Sequence, residues 1–270
     1  EPRCLWTFWE IQILQNQGWL FETKDGENMG TRLWAALQPV VNLHTGKVVA
    51  HEALLRGKLG SSWESPAALF AIARRLNQRV NLEITARKVG LSRLSDLPMN
   101  QNLFLNVDNL KPDIPAMPGF SRIDSRRVVL EISERRPILT NPALLRQVDI
   151  WRSEGHAIAL DDYGAGYMGT GAILELHPDI LKVDHLLISG VDHDYRRQVV
   201  VKSLVQMCGE LNIELIAEGI ETQKELYTLQ KFGVNYGQGF LLGRPQQTPL
   251  LESSAALFYR DRILDEMLTT

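Results

Sequence analysis

The stretch Val48-Val49-Ala50-His51-Glu52-Ala53-Leu54-Leu55-Arg56 decides how the rest of the chain is read. Its apolar, β-branched opening reads as a strand buried on both faces, as in a parallel sheet covered by helices, and the strand closes on the carboxylate of Glu52. The pattern recurs downstream. Glu131 follows Val128-Val129-Leu130, the pair Asp161-Asp162 follows Ala157-Ile158-Ala159-Leu160, and Glu218 follows Leu215-Ile216-Ala217. Acids at the ends of several strands of one sheet converge on one rim. At about 4 Å, two like charges repel by roughly 4 kcal/mol at an effective dielectric of 20. Four or five of them exceed the usual stability margin of a domain unless cations neutralise them.

Working outward, Gln38-Pro39-Val40-Val41-Asn42-Leu43 and the turn His44-Thr45-Gly46-Lys47 precede the quoted strand with the spacing of a hairpin. Downstream, Ser65 before Pro66 places a capping residue ahead of a first-turn proline and predicts a helix over Ala67 to Leu76. Further strands are expected over Leu103 to Val107, Val128 to Ile132, Ala157 to Asp161, Ile180 to Asp184, Glu214 to Ala217 and Gly239 to Leu242. Helices are expected over about Pro142 to Glu154, Tyr195 to Leu211, Gln223 to Phe232 and Ser254 to Met267. About eight strands with interleaved helices predict an α/β fold, a TIM-like (β/α)8 barrel whose active site sits at the C-terminal strand ends. An open doubly wound sheet is the alternative, but no Gly-x-Gly-x-x-Gly follows the first strand.

Composition bounds the function. The chain has 270 residues, 44% hydrophobic and 23% charged, with a net charge of −3. That fits a soluble domain with a substantial core and excludes the basic field that long nucleic acids require. Two cysteines, Cys4 and Cys208, make neither a disulfide framework nor a metal-binding pair; a reducing compartment is expected, with Cys208 in a helix core. No apolar run approaches the length of a membrane span, and no leader opens the sequence. Residues 1–30, with Trp6, Trp9 and Trp19 and the polar break Lys24-Asp25-Gly26-Glu27-Asn28, read as a linker or appended helix, and residues 31–270 as one domain. Because it starts on Glu1 rather than Met, the sequence reads as a fragment of a larger multidomain protein. The expected location is the cytoplasm, either free or as the cytoplasmic part of a membrane-anchored protein.

The candidate chemistry is carried by oxygen. Glu52, Asn106, Glu131, Asp161, Asp162 and Glu218 offer no nitrogen or sulfur ligand, which favours hard cations such as Mg²⁺ or Mn²⁺ over zinc. The adjacent acids Asp161 and Asp162 are suited to two neighbouring ions, the arrangement that activates water and stabilises both oxygens in phosphoester cleavage. Lys182, at a neighbouring strand end, is placed to order that water or accept its proton. His51, His156, His177, His185 and His193 show no metal-binding spacing and read as surface or packed residues. A glycosidase built on two carboxylates without metal is a competing class, but it leaves Lys182 and Asn106 without a role.

These residues resemble the EAL-domain phosphodiesterases of bacterial cyclic di-GMP signalling, whose naming tripeptide is Glu52-Ala53-Leu54. The resemblance runs from about Leu33 to Pro245 through Gln38-Pro39, Glu52 to Arg56, Asn106, Leu130 to Glu134, Asp161 to Tyr167, Leu181 to Asp184, Ala217 to Thr222 and Gln238-Gly239-Phe240, in family order. It implies an eight-stranded barrel with one strand antiparallel, two divalent ions per site, and hydrolysis of cyclic di-GMP to the linear dinucleotide 5'-pGpG. By the same resemblance, Glu52, Asn106, Glu131 and Asp161 are ligands of one metal, and Asp161 and Asp162 of the other, with Glu218 coordinating directly or through water. Lys182 is similar to the family lysine that contacts the nucleophilic water, Gln238 to a glutamine that supports the site, and Glu134 to the acid that anchors the loop after Asp162. Gln38, Leu54 and Arg56 resemble substrate-contacting positions, with Arg56 facing a phosphate. A homodimer and a sensory or regulatory domain outside this sequence are also implied. The loop departs from the family at Tyr163, which stands for a usual Phe, and at Ala165, Met168 and Gly169, which lose the hydroxyls of a Thr and two Ser that hold it, and Asp108 and Gly57 replace a usual Ser and Trp. The second reading is therefore a catalytically weak or inactive cyclic di-GMP receptor.

Overall fold

The computed structural model describes residues 33–107, 124–135, 138, 140–166 and 169–253. The segment 1–30 and the helix expected over Ser254 to Met267 lie outside the described residues. The hairpin forms as expected and is longer at both outer ends: β1 spans Trp34–Asn42 and β2 spans Val48–Arg56. At its turn, the Asn42 side chain accepts hydrogen bonds from the backbone N–H groups of His44 and Thr45, a local Asx turn. There follow α1 (Pro66–Arg75), α2 (Arg79–Ser92), β3 (Asn102–Asn106), β4 (Val128–Ser133), α3 (Pro142–Ser153), β5 (Ala157–Tyr163) and α4 (Thr170–Leu176). The order ends with β6 (Ile180–Val183), the single turn α5 (His185–Ile188), α6 (Tyr195–Leu211), β7 (Glu214–Ala217), α7 (Gln223–Lys231) and β8 (Tyr236–Gly237).

The eight strands close into a barrel in sequence order. β1 runs antiparallel to both β2 and β8, and the remaining pairs are parallel. Helix starts are set by local chemistry. Ser65 accepts from the Ala68 N–H and Asn141 from the Leu144 N–H, each with proline in the first turn. Thr222 and Glu225 form a reciprocal capping box on α7. No side chain caps α2 at Gln78, which is why no start signal for that helix stands in the sequence.

Two expectations are corrected. Gly239 to Leu242 is a turn and not a strand: the N–H groups of Leu242 and Gly243 both donate to the Gly239 carbonyl. The chain there passes against the backbone of Ile220, so a Cβ on Gly239 would lie 2.2 Å from the Ile220 oxygen; β8 is confined to Tyr236 and Gly237. Glu52 also does not end its strand, because β2 continues to Arg56.

A layer of apolar side chains fills the barrel: Val40, Ala50, Phe104, Val129, Ala159, Ile180 and Ile216, with Tyr236 packed against it. Each strand contributes one of them. A second, larger core lies between the outer face of the barrel and the helices. Burying a large apolar side chain is worth about 1.5–3 kcal/mol, so this inner layer is a firm floor for whatever stands above it.

Candidate active site

Side chains along a strand alternate between faces, so the inward neighbour of each floor residue is the residue two positions on. Along the seven strands of one direction those positions are Glu52, Asn106, Glu131, Asp161 and Lys182, then Glu218 and Gln238 one residue past the ends of β7 and β8, and on the reversed β1 the residue is Gln38. Every strand thus delivers one polar group to a single ring above the apolar floor. The site follows from strand period and ring closure.

Lys182 stands at the centre of this ring, 1% exposed. Its Nζ lies 2.5 Å from Glu131 Oε1, 2.8 Å from Glu218 Oε1, 3.0 Å from Asp161 Oδ1 and 3.4 Å from Glu52 Oε2. Glu131 Oε1 and Asp161 Oδ1 nonetheless accept no well-directed hydrogen bond. Asn106 Nδ2 donates to both Glu52 Oε1 (3.1 Å) and Glu131 Oε2 (3.0 Å). Gln238 Nε2 donates to Glu52 Oε2 at 2.8 Å, and Gln38 Nε2 reaches the Gly243 carbonyl at 3.5 Å.

One ammonium cannot satisfy four buried carboxylates. Burial pushes the Glu131 carboxyl well up from its ordinary value, with the Glu52 charge adding to the effect. Burial likewise raises Asp161 to about 6 and Glu218 to about 8, against the opposing pull of Lys182. For Glu52 burial also acts upward, but the Lys182 charge and the hydrogen bonds from Gln238 and Asn106 outweigh it and hold the carboxyl low. Burial acts to lower the Lys182 pKa; the carboxylates of Asp161, Glu131, Glu218 and Glu52 override it and hold the amine cationic.

Two consecutive acids share the site face because β5 is irregular. The strand register shifts between Leu160 and Tyr163, and Asp162 takes a positive φ of 60°, which Asp tolerates better than most residues. Asp161 therefore points at Lys182, Tyr163 returns to the outer core, and Asp162 Oδ2 accepts a hydrogen bond from Ser133 Oγ at 2.8 Å. Arg135 lies 3.4 Å from Asp162 and 3.8 Å from Asp184. Sequence reasoning missed Ser133, although it stands two residues beyond Glu131 on the same face; Arg135 carries no such signal.

Glu134, just past β4, is buried and spends its carboxylate on the loop after β5. Oε2 accepts from the N–H groups of Gly164 (2.8 Å) and Gly166 (3.3 Å), and Oε1 from that of Gly169 (2.6 Å). Backbone amides supply this anchorage, so it does not depend on the missing hydroxyls. Leu54 and Arg56 follow Glu52 on the same face of β2, both half-buried, and Arg56 Nη1 donates to the Leu55 carbonyl at 2.8 Å. Of the histidines, His51 and His156 are packed and His177, His185 and His193 lie at the surface. Cys208 is buried in α6, where burial lifts its thiol to about 11.

Among the described residues no group of three or more His, Cys, Asp or Glu side chains is already arranged to hold a metal ion. The donor set nevertheless fits hard divalent cations: it is all oxygen, its acids outnumber their single counter-charge, and two of its oxygens lack directed donors. Asn106 now turns its N–H toward the acids, and the same carboxamide turned end for end would offer its oxygen.

The family model described as the EAL domain matches residues 30–245. A curated relative from Escherichia coli strain K12, the probable cyclic di-GMP phosphodiesterase PdeB, is 29% identical over 77% of this chain and 41% of its own length. The chain thus spans about two fifths of that relative, and the match to PdeG of the same organism covers 43% of that protein. Among solved structures, a standalone versatile EAL protein from Vibrio cholerae O395 in its cyclic di-GMP-bound form is 26% identical, with a TM-score of 0.71 over 82% of this chain and 95% of that one. Klebsiella pneumoniae BlrP1, in a manganese and cyclic di-GMP complex, is 29% identical with a TM-score of 0.73, covering 82% of this chain and 58% of that one.

Proposed function

This chain belongs to the EAL domain family, and we propose from that premise that it is a metal-dependent phosphodiesterase that hydrolyses cyclic di-GMP to linear 5'-pGpG. The observation that carries the reading is the ring of polar residues, one per strand, with its buried excess of carboxylates around Lys182. Relatives solved with cyclic di-GMP together with manganese or calcium support the substrate class and the need for a divalent ion.

Glu52, Asn106, Glu131 and Asp161 would hold one Mg²⁺ or Mn²⁺ ion, and Asp161, Asp162 and Glu218 a second. Such a pair, when bound, supplies charge for the phosphate and acidifies the attacking water. The remaining work falls to the chain's own residues. Lys182, held cationic, donates to the water oxygen and orients it toward phosphorus. The new P–O bond forms as the bond to the ribose 3'-oxygen breaks, and the proton that the water gives up ends on that departing oxygen, leaving a 5'-phosphate and a 3'-hydroxyl. Gln238 keeps Glu52 in place, Glu134 keeps the loop that follows Asp162, and Gln38, Leu54 and Arg56 receive the dinucleotide, with Arg56 on a phosphate oxygen. Exposed Leu186, Tyr195 and Val199 on α5 and α6 support assembly as a homodimer. A sensory or regulatory domain in the longer protein and a cytoplasmic site of action complete the reading; among the described residues, no helix is long and apolar enough to cross a membrane.

The test is chromatography after incubation with cyclic di-GMP and Mg²⁺ or Mn²⁺, repeated with Glu52→Ala. Linear product from the parent and none from the variant is the expected result. No product with either ion at neutral or alkaline pH overturns the enzyme, and tight binding with ligand recovered intact would assign a receptor instead.

A further inference from the structure

We propose that Trp34 and Trp63 are positioning residues for Arg56, a two-tryptophan clamp on the Gly57 peptide that fixes the strand end from which the guanidinium meets the substrate phosphate. The inference rests on the reading of Arg56 as that phosphate contact.

In the hairpin Trp34 is the register partner of Arg56, just as Gln38 is the partner of Glu52. Residues directly opposite on antiparallel strands share a face, so Trp34, Gln38, Glu52 and Arg56 line the site side of the β1–β2 hairpin. Arg56 is the last residue of β2, and its neighbour Gly57 determines where it sits. All three chemical features of Gly57 are engaged. Its carbonyl accepts from Trp34 Nε1 at 2.9 Å, its N–H donates to the Glu64 carbonyl at 2.9 Å, and its bare Cα packs under Trp63. A Cβ there would lie 2.2 Å from the Trp63 oxygen and 2.4 Å from Cε3 of its ring, so the indole takes the space that a side chain at residue 57 would fill.

The intervening loop is folded back on itself. Ser61 N–H donates to the Lys58 carbonyl at 3.0 Å, and Gly60 N–H to Glu64 Oε2 at 2.8 Å. Arg56 has five N–H donors, one of which is spent on Leu55. Its guanidinium also lies in the field of Glu52 and Glu64, and a long side chain loses much rotamer freedom on binding. A rigid root limits that loss, so loosening it weakens the hold on the phosphate. Both tryptophans grip Gly57, so each acts through Arg56.

The experiment compares Trp34→Phe, which keeps an aromatic ring and removes one N–H, and Trp63→Ala, each in the parent and in the Arg56→Ala background. KM and kcat are measured with Mn²⁺, and Kd for cyclic di-GMP by calorimetry with Ca²⁺. Each variant should raise KM and Kd about three- to tenfold with kcat changed far less, and should add nothing once Arg56 is gone. Equal losses in both backgrounds, or none in the parent, overturn the clamp. Melting curves check folding, and if Trp63→Ala fails to fold, Trp34→Phe carries the test alone. A parent chain that neither binds nor cleaves overturns the underlying reading as well, whereas a parent that binds with clamp variants indistinguishable from it overturns the clamp only.

Discussion

Replacing Lys182 with Met keeps the volume and removes the single cation from the carboxylate ring. At neutral pH the charged partners are Glu52, held low, and Asp161, raised to about 6. Their oxygens lie 3.4 and 3.0 Å from Nζ, where each attraction is about 5 kcal/mol at an effective dielectric of 20. Much of that is offset by the cost of burying the ammonium, and breaking a buried ionic cluster typically costs about 3–5 kcal/mol net. For a domain of this size that lowers Tm by roughly 10 °C. The assay is thermal or urea unfolding of parent and Lys182→Met in chelator, at pH 5 and pH 8, and then with saturating Mn²⁺. The loss should be smaller at pH 5, because Asp161 and Glu218 take up protons below their raised pKa values and neutralise the cluster themselves. Mn²⁺ should rescue the variant more than it stabilises the parent, since ions replace the missing charge. An unchanged Tm in chelator, or a loss of the same size with and without Mn²⁺, would show that Lys182 is not the counter-charge of the ring.

Three further outcomes are expected. Without metal, stability should fall as pH rises from about 4.5 to about 8, because across that window folded Glu218 keeps a proton that the unfolded chain has released; melts in chelator that are flat or rise with pH would contradict this. Glu134→Ala removes the acceptor of three loop amides, each charge-assisted bond being worth about 1.5–3 kcal/mol. Hydrogen exchange at Gly164 and Gly169 should accelerate and hydrolysis should drop, and unchanged protection of those amides would sink the anchor role. Gly239→Ala drives a methyl into the Ile220 backbone and should cost at least about 1–3 kcal/mol; a parental Tm would mean the turn has room to shift.

Much of this barrel is legible locally. The hairpin, the capped helices after Ser65, Asn141 and Thr222, and the strands over Glu214–Ala217 and Val128–Ser133 each declare themselves through alternation, capping chemistry or β-branched runs, all of which act over a few residues. The same period of two links Ala50 to Glu52, Phe104 to Asn106, Val129 to Glu131 and Ile180 to Lys182, so the inward polar residues can be named from sequence. What misleads is also local: Gly239 to Leu242 has the composition of a strand, and only the approach of Ile220 forbids one. Helix α2 is not legible because no cap marks its start.

The sequence by itself determined the alternating strands, their inward acids and the oxygen-only ligand chemistry, since these depend on neighbours one or two residues apart. Only the tertiary structure decided that Lys182 sits at the centre of four carboxylates, that Gln238 holds Glu52 from 186 residues away, that a register shift turns Asp161 and Asp162 to one side, and that Trp34 and Trp63 close on Gly57. Those placements come from ring closure and strand register, which set distances between residues far apart in the chain and leave no trace in local propensity.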